Sequence, residues 1–188
     1  GDPMRGCRTR PAIGAGPAVG SAFAMALVLL APAPGRAADP GSVFHIDRNK
    51  NRNQVHYGVR VDQSCHAVGS EPAYNYWLRL EATPPHTEDL RFFQQAAYGF
   101  AQQAVLGDGR LELRLRALPE RPVTVRLASV DGTCRAEPFM DINGRSARLE
   151  KIFVFAEDGM VLPIVRYIEL SGHGDDGVEV YEKIVPGK

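Results

Sequence analysis

The sequence lacks the short motifs from which most enzymes can be identified. It contains no nucleophile elbow, no phosphate-binding loop and no His-Glu-x-x-His run. Positive charge is not in excess either, since 22 basic residues balance 22 acidic ones. Nucleic acids are bound by clustered excess lysine and arginine, so this balance predicts no nucleic-acid partner. No cofactor is predicted, and a non-enzymatic role is favoured over an enzymatic one.

Long hydrophobic runs are also missing. One apolar run, from about Ala18 to Leu30, is shorter than the ~20 residues that a membrane span needs. A basic stretch after Met4 precedes this run. Gly35-Arg36-Ala37 follows it, with small residues at the two positions that a signal peptidase reads. The order of these three regions is typical of an exported protein.

This layout predicts a signal peptide over residues 1–37, in which residues 1–3 are an upstream artefact. Residues 38–188 then form the mature chain, 151 residues long and folded as a single β-rich domain. A retained N-terminal anchor is the alternative to cleavage. Removing the leader leaves 18 basic and 21 acidic residues. We expect a periplasmic or secreted protein whose mature chain has no transmembrane span.

Cysteine is scarce, with three residues in the chain. Cys7 lies before the apolar run, which excludes a lipoprotein, and it leaves with the leader. Cys65 and Cys134 remain, and an even pair in an oxidising compartment predicts a disulfide. Two separate buried thiols are the alternative. A bridge would close a loop of about 70 residues and stabilise the fold by roughly 4 kcal/mol through chain entropy.

Alternating apolar and polar residues dominate the mature chain, which is the pattern of antiparallel strands with one dry and one wet face. The run Ile152–Phe155 does not alternate, and this predicts a central strand that is buried on both faces. Strands are predicted at residues 44–48, 54–61, 75–80, 111–116, 123–127, 149–156, 164–170 and 178–184.

One segment has a helical period instead. Thr87 offers an N-cap, and Leu90, Phe93 and Ala97 recur at helical spacing. We therefore expect a helix over about 87–98 that covers one end or edge of the sheet.

Residues 100–106 either extend this helix or form another strand, and the strand is favoured. The fold predicted from these elements is mainly β. It is an antiparallel β-sandwich or barrel of roughly nine to ten strands with one helix.

Several fragments of the chain, taken together, resemble a known family. They are Phe44-His45-Ile46-Asp47-Arg48-Asn49 with Asn51 and Asn53, Tyr76-Trp77, Ala97-Tyr98-Gly99, Asp141-Ile142-Asn143-Gly144, Tyr167-Ile168-Glu169-Leu170 and Val180-Tyr181-Glu182-Lys183-Ile184. In this order and spacing they resemble the bacterial family called domain of unknown function 4833, over about residues 42–184. The resemblance implies an exported bacterial domain and supplies no catalytic residue. The cysteine pair is not part of it, so the predicted disulfide depends on this sequence alone.

The first hairpin contains the candidate site that the sequence defines best. A four-residue loop, Asn49 to Arg52, sets a register in which His45 lies opposite His56. The same register puts four apolar residues on the other face: Phe44, Ile46, Val55 and Tyr57. Opposed side chains lie ~5 Å apart at Cβ and can share a ligand. Two histidines with Asp47 would suit zinc, but the spacing supplies no further ligand, so no metal is predicted.

The hairpin loop is basic and rich in amides. Arginine and asparagine offer forked donors to an anionic or sugar ligand, and ordinary turn chemistry is the alternative. The candidate ligand-binding residues are therefore Arg48, Asn49, Asn53, His45 and His56.

Two other groups have both a functional and a structural interpretation. One group could form a basic patch, although interspersed Glu112 and Glu120 favour an ordinary polar sheet face: Arg110, Arg114, Arg116, Arg121 and Arg126. The other could line a sugar-stacking surface, although core packing is favoured: Tyr74, Tyr76, Trp77, Tyr98 and Phe100.

The predicted function is that of an exported β-domain that binds a small molecule, an envelope polymer such as a polysaccharide, or a protein partner. The alternative is a hydrolase-type enzyme whose site is assembled from scattered strands, with Glu169, Glu179 and Glu182 as candidate acids. A deep pocket with a perturbed carboxylate would favour the enzyme, and a shallow aromatic or basic surface would favour binding.

Overall fold

A computed structural model describes residues 41–157 and 164–186 of the chain. The predicted signal peptide, residues 1–37, lies outside the described residues. Within them the chain forms eleven strands and one helix. In chain order these are β1 (Ser42–Arg48), β2 (Gln54–Val59), β3 (Ala73–Arg79), β4 (His86–Glu88), α1 (Phe92–Tyr98), β5 (Phe100–Gly107), β6 (Arg110–Leu115), β7 (Leu118–Val130), β8 (Thr133–Ile142), β9 (Arg145–Glu157), β10 (Ile164–Gly174) and β11 (Glu179–Ile184). Among the residues described, none of the helical structure is long and apolar enough to cross a membrane.

All eleven strands belong to one mixed sheet. Its path runs β4-β3-β2-β1-β9-β8-β7-β6-β5, and β10 lies between β9 and β11. Every pairing between these strands is antiparallel except the parallel pair β1 and β9. Because the path ends at β4 and β5, the sheet formed by the described residues does not close into a barrel.

Strand β9 divides this sheet into two layers. Its residues 145–148 pair with β8, and its residues 152–154 pair with β1 along the same edge. Strand β10 pairs with the opposite edge, and a bulge interrupts that pairing between Ser171 and Gly172. Bulges bend strands and increase their twist. A Cβ atom at Gly172 would clash with the carbonyl oxygen of Arg148, so the bend requires glycine.

The two layers enclose one hydrophobic core. Its fully buried members include residues of β1 and β2 in one layer and of β6, β7 and β8 in the other, among them Ile46, Val55, Tyr57, Leu113, Val125 and Ile142. The Tyr57 ring packs edge-on against Phe100 of β5, and its hydroxyl donates a 2.7 Å hydrogen bond to the carbonyl of Tyr98. These contacts give the fold the sandwich character that the alternation predicts.

A disulfide joins the two layers. Cys65, in the connection between β2 and β3, is bonded to Cys134 of β8, with their Cα atoms 5.2 Å apart. The carboxylate of Asp62 accepts hydrogen bonds from the backbone N–H groups of Ser64 and His66, which shapes the turn around Cys65. The predicted bridge is thus present, and it is compatible with a periplasmic or secreted protein because such bonds persist in oxidising compartments.

The sequence prediction omits β8, although a local signal for it exists. Two dipeptides bound the strand, Asp131-Gly132 and Asn143-Gly144, and all four residues have positive φ. Positive φ at both central residues is the requirement of the type I′ hairpin turn, which favours Asp-Gly and Asn-Gly. Both turns therefore predict a strand between them.

The strand predicted over residues 149–156 is central, but the prediction that it is buried on both faces was wrong. Ile152 and Val154 are buried, whereas Phe153 and Phe155 are half-buried on the other face. The strand does alternate, but aromatic residues occupy its outer positions and conceal the period.

The helix is shorter than predicted, because His86–Glu88 pairs with β3 as a strand. Helix α1 starts at Phe92 and has no buried residue. Phe92 and Phe93 are 80% and 75% exposed, so the helix does not pack an apolar face against the sheet. The strand favoured for residues 100–106 is confirmed as β5.

Candidate functional site

The register predicted for the first hairpin is confirmed. Phe44 pairs with Tyr57, His45 with His56 and Ile46 with Val55. The two imidazole rings stack across the strands with their centroids 5.2 Å apart. His45 and His56 therefore lie together on the outer face of the first layer, opposite the core.

Polar side chains engage both nitrogens of His56. Its Nδ1 lies 2.6 Å from the hydroxyl of Ser42, and its Nε2 lies 2.9 Å from the side-chain oxygen of Gln54. Gln54 in turn donates a 2.8 Å hydrogen bond to Asp47, whose carboxylate is 3.6 Å from Nε2 of His45. In the part of the chain that the structure describes, no cluster of three His, Cys, Asp or Glu side chains could hold a metal ion.

Burial lowers the pKa of His56 below its ordinary value of 6.5, and the neighbouring His45 lowers it further. The carboxylate of Asp47 opposes this shift. The neutral imidazole is thus favoured in the folded protein, which suits a group that both donates and accepts hydrogen bonds on this face.

Aromatic rings continue from this pair toward β3. His56 stacks on Tyr76 at 5.3 Å between centroids, and Tyr76 stacks on Tyr74 at 6.2 Å. The guanidinium of Arg60 lies 5.0 Å from the centroid of the Tyr74 ring. A shallow depression of about 410 Å³ lies at this end, beside Arg60, Tyr74 and Tyr76.

A second group of rings continues in the other direction, toward β10. The ammonium of Lys151 lies 3.9 Å from Asp47 and 5.4 Å from the Phe153 ring. Phe155 of β9 stacks on Tyr167 of β10 at 4.8 Å between ring centroids. These contacts connect the outer face of the first hairpin with that of the β9–β10 hairpin.

Strand β11 adds the last side chains on this outer face of the sheet. The ammonium of Lys183 lies 3.4 Å from the centroid of the Tyr167 ring and 3.7 Å from the carboxylate of Glu169. The hydroxyl of Tyr181 donates a 2.8 Å hydrogen bond to the same carboxylate. This hydrogen bond raises the pKa of Tyr181.

We call this row the polar-aromatic strip. It crosses six strands in the order β3-β2-β1-β9-β10-β11, and its members are Tyr74, Tyr76, His56, His45, Asp47, Phe153, Phe155, Tyr167, Glu169, Lys183 and Tyr181. Each of these residues is partly exposed, for example 32% of the His45 side chain. Because stacked rings turn their faces toward one another, the strip presents ring edges and polar groups to its surroundings.

Arg48 lies on the opposite face of β1, at the rim of the core. Its guanidinium carbon is 4.5 Å from the centroid of the Trp77 ring and 5.8 Å from that of Tyr98, and its Nη2 donates to the side-chain oxygen of Asn51. The Nε atoms of Arg48 and Trp77 are buried and have no hydrogen-bond partner among the described residues. Apart from the hydrogen bond to Asn51, the guanidinium of Arg48 is thus held by cation–π stacking on these two rings.

The two asparagines of the candidate site contact the backbone of other segments. Asn49 donates to the carbonyl of Ala156 and accepts from the N–H of the same residue, which extends the pairing of β1 and β9. Asn53 is 3% exposed, and its side-chain oxygen accepts from the N–H of Glu81. A ligand-binding role for Arg48, Asn49 and Asn53 stays a prediction, and the structure separates them from the two histidines.

The acids named for the enzymatic alternative do not converge. Glu169 lies on the outer strip, whereas Glu182 faces the other side of the sheet and forms a 2.6 Å ion pair with Arg121 of β7. Three carboxylates have a pKa lowered by hydrogen bonds, and they lie apart in exposed segments: Asp62, Glu88 and Asp176. A general acid needs a raised pKa instead.

Comparison with known families assigns the chain to a family. Residues 44–183 match the family described as Domain of unknown function (DUF4833), so the chain belongs to it. The segments through which the sequence resembles that family contribute these residues to the strip: His45, Asp47, Tyr76, Tyr167, Glu169, Tyr181 and Lys183. Comparison with curated proteins and with solved structures finds no match.

Proposed function

We propose that this protein is a non-catalytic, exported bacterial domain that binds an envelope glycan through the polar-aromatic strip. The observation that supports this function is the strip itself, an extended row of stacked rings and polar groups on the outer face of six strands. A surface of this kind suits a long ligand better than a small molecule, which needs a concave site.

The chemistry of the strip favours a sugar polymer over a protein partner. Protein interfaces have an apolar centre with polar groups at the rim. Here polar groups alternate with rings along the whole row: Gln54 and Asp47 between His56 and Phe153, and Glu169 beside Tyr167. A glycan chain offers hydroxyl groups to the polar side chains and apolar C–H groups to the exposed ring edges at every repeat.

Sedimentation with an insoluble polymer tests this proposal. The disulfide-bonded protein is mixed with purified peptidoglycan sacculi, and binding to soluble chitohexaose is followed by chemical-shift changes of backbone amides. We expect both probes to bind, with the shift changes confined to β1, β2, β3, β9, β10 and β11. Tyr76→Ala and Tyr167→Ala should each weaken binding by about tenfold, since burying a ring against a ligand contributes ~1 kcal/mol or more.

Phe93→Ala is the matched control, because it removes an aromatic ring that is 75% exposed on α1 and outside the strip. It should leave binding unchanged. Equal losses in all three variants would indicate non-specific adsorption, and absence of binding to both probes would refute the glycan assignment. Capture of a protein by the wild type but not by Tyr76→Ala would replace the glycan with a protein partner.

A further inference from the structure

An arginine-lined depression lies on the outer face of the second layer, away from the polar-aromatic strip. Its volume is about 310 Å³. Residues of β6, β7, β8 and β9 line it, among them Arg110, Arg121, Arg126, Thr124, Phe139 and Ser146. It contains three of the five arginines that the sequence suggests as a possible basic patch.

Carboxylates neutralise some of these five arginines but not all. Arg114 lies 3.2 Å from Glu112, and Arg121 forms a two-pronged ion pair with Glu182. In contrast, Arg126 has no ion pair among the residues that the structure describes. Arg110 approaches one carboxylate, that of Asp108, at 4.0 Å, and this aspartate side chain is 93% exposed. Arg126 therefore has no paired carboxylate among the described residues, and Arg110 has one weak, solvent-exposed partner.

The sheet places these two arginines directly opposite each other. Arg110 of β6 is the register partner of Arg126 of β7. Like charges in directly opposed positions destabilise a sheet. An anion bound between them would remove this repulsion, so the pair is suited to a negatively charged ligand.

The guanidinium of Arg126 is held by an aromatic ring. Its central carbon lies 3.8 Å from the centroid of the Phe139 ring. Stacking of this kind orients the planar group and leaves the N–H donors in its plane available for a ligand. Phe139 belongs to the same depression, so the ring positions Arg126 at the site.

One carboxylate, that of Asp141, lines the depression itself, and that of Glu137 lies beside it on β8. Asp141 accepts hydrogen bonds from Arg121 and from the backbone N–H of Gly144, so it is already engaged. Glu137 is the partner of Arg126 on β8 but forms no ion pair with it in the described part of the chain. Neither carboxylate neutralises Arg126.

We propose that this depression binds a phosphate group. Arg110, Arg126 and the hydroxyls of Thr124 and Ser146 line it, and their donors suit the several oxygens of a phosphate better than the two of a carboxylate. Arg121 also lines it, but its guanidinium is already paired with Glu182. The site lies in the second layer, so the proposal does not depend on glycan binding by the strip. The phosphate can belong to a free small molecule or to a phosphorylated envelope polymer.

Titration of the oxidised full-length protein with inorganic phosphate tests the site. Binding is measured by calorimetry and by backbone amide shifts at constant ionic strength, with glycerol 1-phosphate and acetate as parallel probes. We expect both phosphates to bind and to shift the amides of Thr124 and Ser146. Arg126→Gln and Arg110→Gln should each weaken binding by about tenfold, equivalent to ~1.4 kcal/mol.

Arg116→Gln is the matched control, since Arg116 is exposed and lies outside the depression. It should leave the affinity unchanged. Arg126→Lys retains the charge without the planar fork and should bind with intermediate affinity, which keeps the test valid if Arg126→Gln fails to fold. Failure of phosphate to saturate, equal affinity for acetate, or an equal loss in Arg116→Gln would overturn the proposal. Tyr76→Ala should bind phosphate like the wild type, which separates this site from the strip.

Discussion

Arg48 and His45 lie on one strand, yet they belong to different environments. Successive side chains of a strand point to opposite faces, so positions an odd number of residues apart are separated by the sheet. His45 therefore joins the open strip, and Arg48 lies against Trp77 at the rim of the core. The environment of the strip is tested through the pKa of a histidine, and the environment of Arg48 through the free energy of unfolding.

The first prediction concerns the pKa of His56. Burial and the nearby His45 hold this pKa below 6.5, so His45→Gln should raise the pKa of His56 toward 6.5. A histidine titration by NMR measures this change. His86 is an internal control, because its hydrogen bond with Glu88 raises its pKa and the substitution should not alter it. A His56 pKa that stays constant or falls in the variant would contradict the prediction.

The sign of the effect on stability follows from the direction of this shift. The unfolded chain binds a proton at His56 near its ordinary pKa of 6.5, whereas the folded protein binds it only at lower pH. The contribution of His56 to the free energy of unfolding is therefore complete above pH 6.5 and is lost as the pH falls below it. In His56→Gln, this part of the acid destabilisation should disappear.

The second prediction concerns Arg48. Arg48→Ala removes a guanidinium that stacks on Trp77, and we expect the free energy of unfolding to fall by about 1–3 kcal/mol. Trp77 is the only tryptophan of the chain, so its fluorescence should shift to the red in the folded variant. Urea titration measures the stability change. Arg52→Ala is the control, because Arg52 is exposed in the hairpin loop that follows β1. It should change the free energy of unfolding by less than ~0.5 kcal/mol. Equal stability of the two variants would show that the stacking contributes nothing.

At the scale of elements, the disulfide and the bulged β9–β10 hairpin hold the two layers in place. The disulfide attaches the β2–β3 connection to β8, and β9 pairs with both layers. The bridge encloses a loop with a sequence separation of 69, which restricts the unfolded chain strongly.

The third prediction is therefore that Cys65→Ser with Cys134→Ser lowers the free energy of unfolding by roughly 4 kcal/mol, mainly through the entropy of the unfolded state. Urea unfolding of the wild type and the double variant measures the difference. Under reducing conditions the wild type should lose a similar amount, whereas the variant should be unaffected. A variant as stable as the oxidised wild type would contradict this expectation.

At the scale of the whole molecule, the parallel pairing of β1 and β9 joins the start of the domain to its last third. Asn49 extends this pairing with two hydrogen bonds to Ala156, across a sequence separation of 107. The same pairing places Asp47 opposite Phe153, so it also creates the middle of the polar-aromatic strip.

The fourth prediction concerns this connection. Asn49→Ala should lower the free energy of unfolding by about 1–3 kcal/mol, because two backbone groups of Ala156 lose their partner. Gln63→Ala, which removes an exposed amide in a turn, should have little effect. Both are measured by urea titration. Unchanged stability of Asn49→Ala, combined with loss of glycan binding, would favour the ligand-binding role that the sequence suggests over the structural one.

Local pattern alone predicts much of the first hairpin. A shift of one residue would exchange the faces of Phe44 and His45, so alternation specifies the pairing of His45 with His56. The disulfide likewise follows from the number of cysteines and the predicted compartment. Strand β8 could have been found from its two bounding turns, whereas the predicted start of the helix failed because Thr87 pairs with β3 instead of capping α1.

The arrangement of the strands was decided by the tertiary structure. Alternation has a period of two residues and shows which side chains share a face of one strand, but it does not show which strands become neighbours. The parallel contact of β1 with β9 has no local signal, because the two strands are far apart in the chain and bury their apolar faces in a common core. That contact assembles the polar-aromatic strip, and the pairing of β6 with β7 opposes Arg110 and Arg126. Burial of the non-local core thus assembled the polar-aromatic strip from distant segments, whereas the opposed arginines belong to consecutive strands that the sequence already groups.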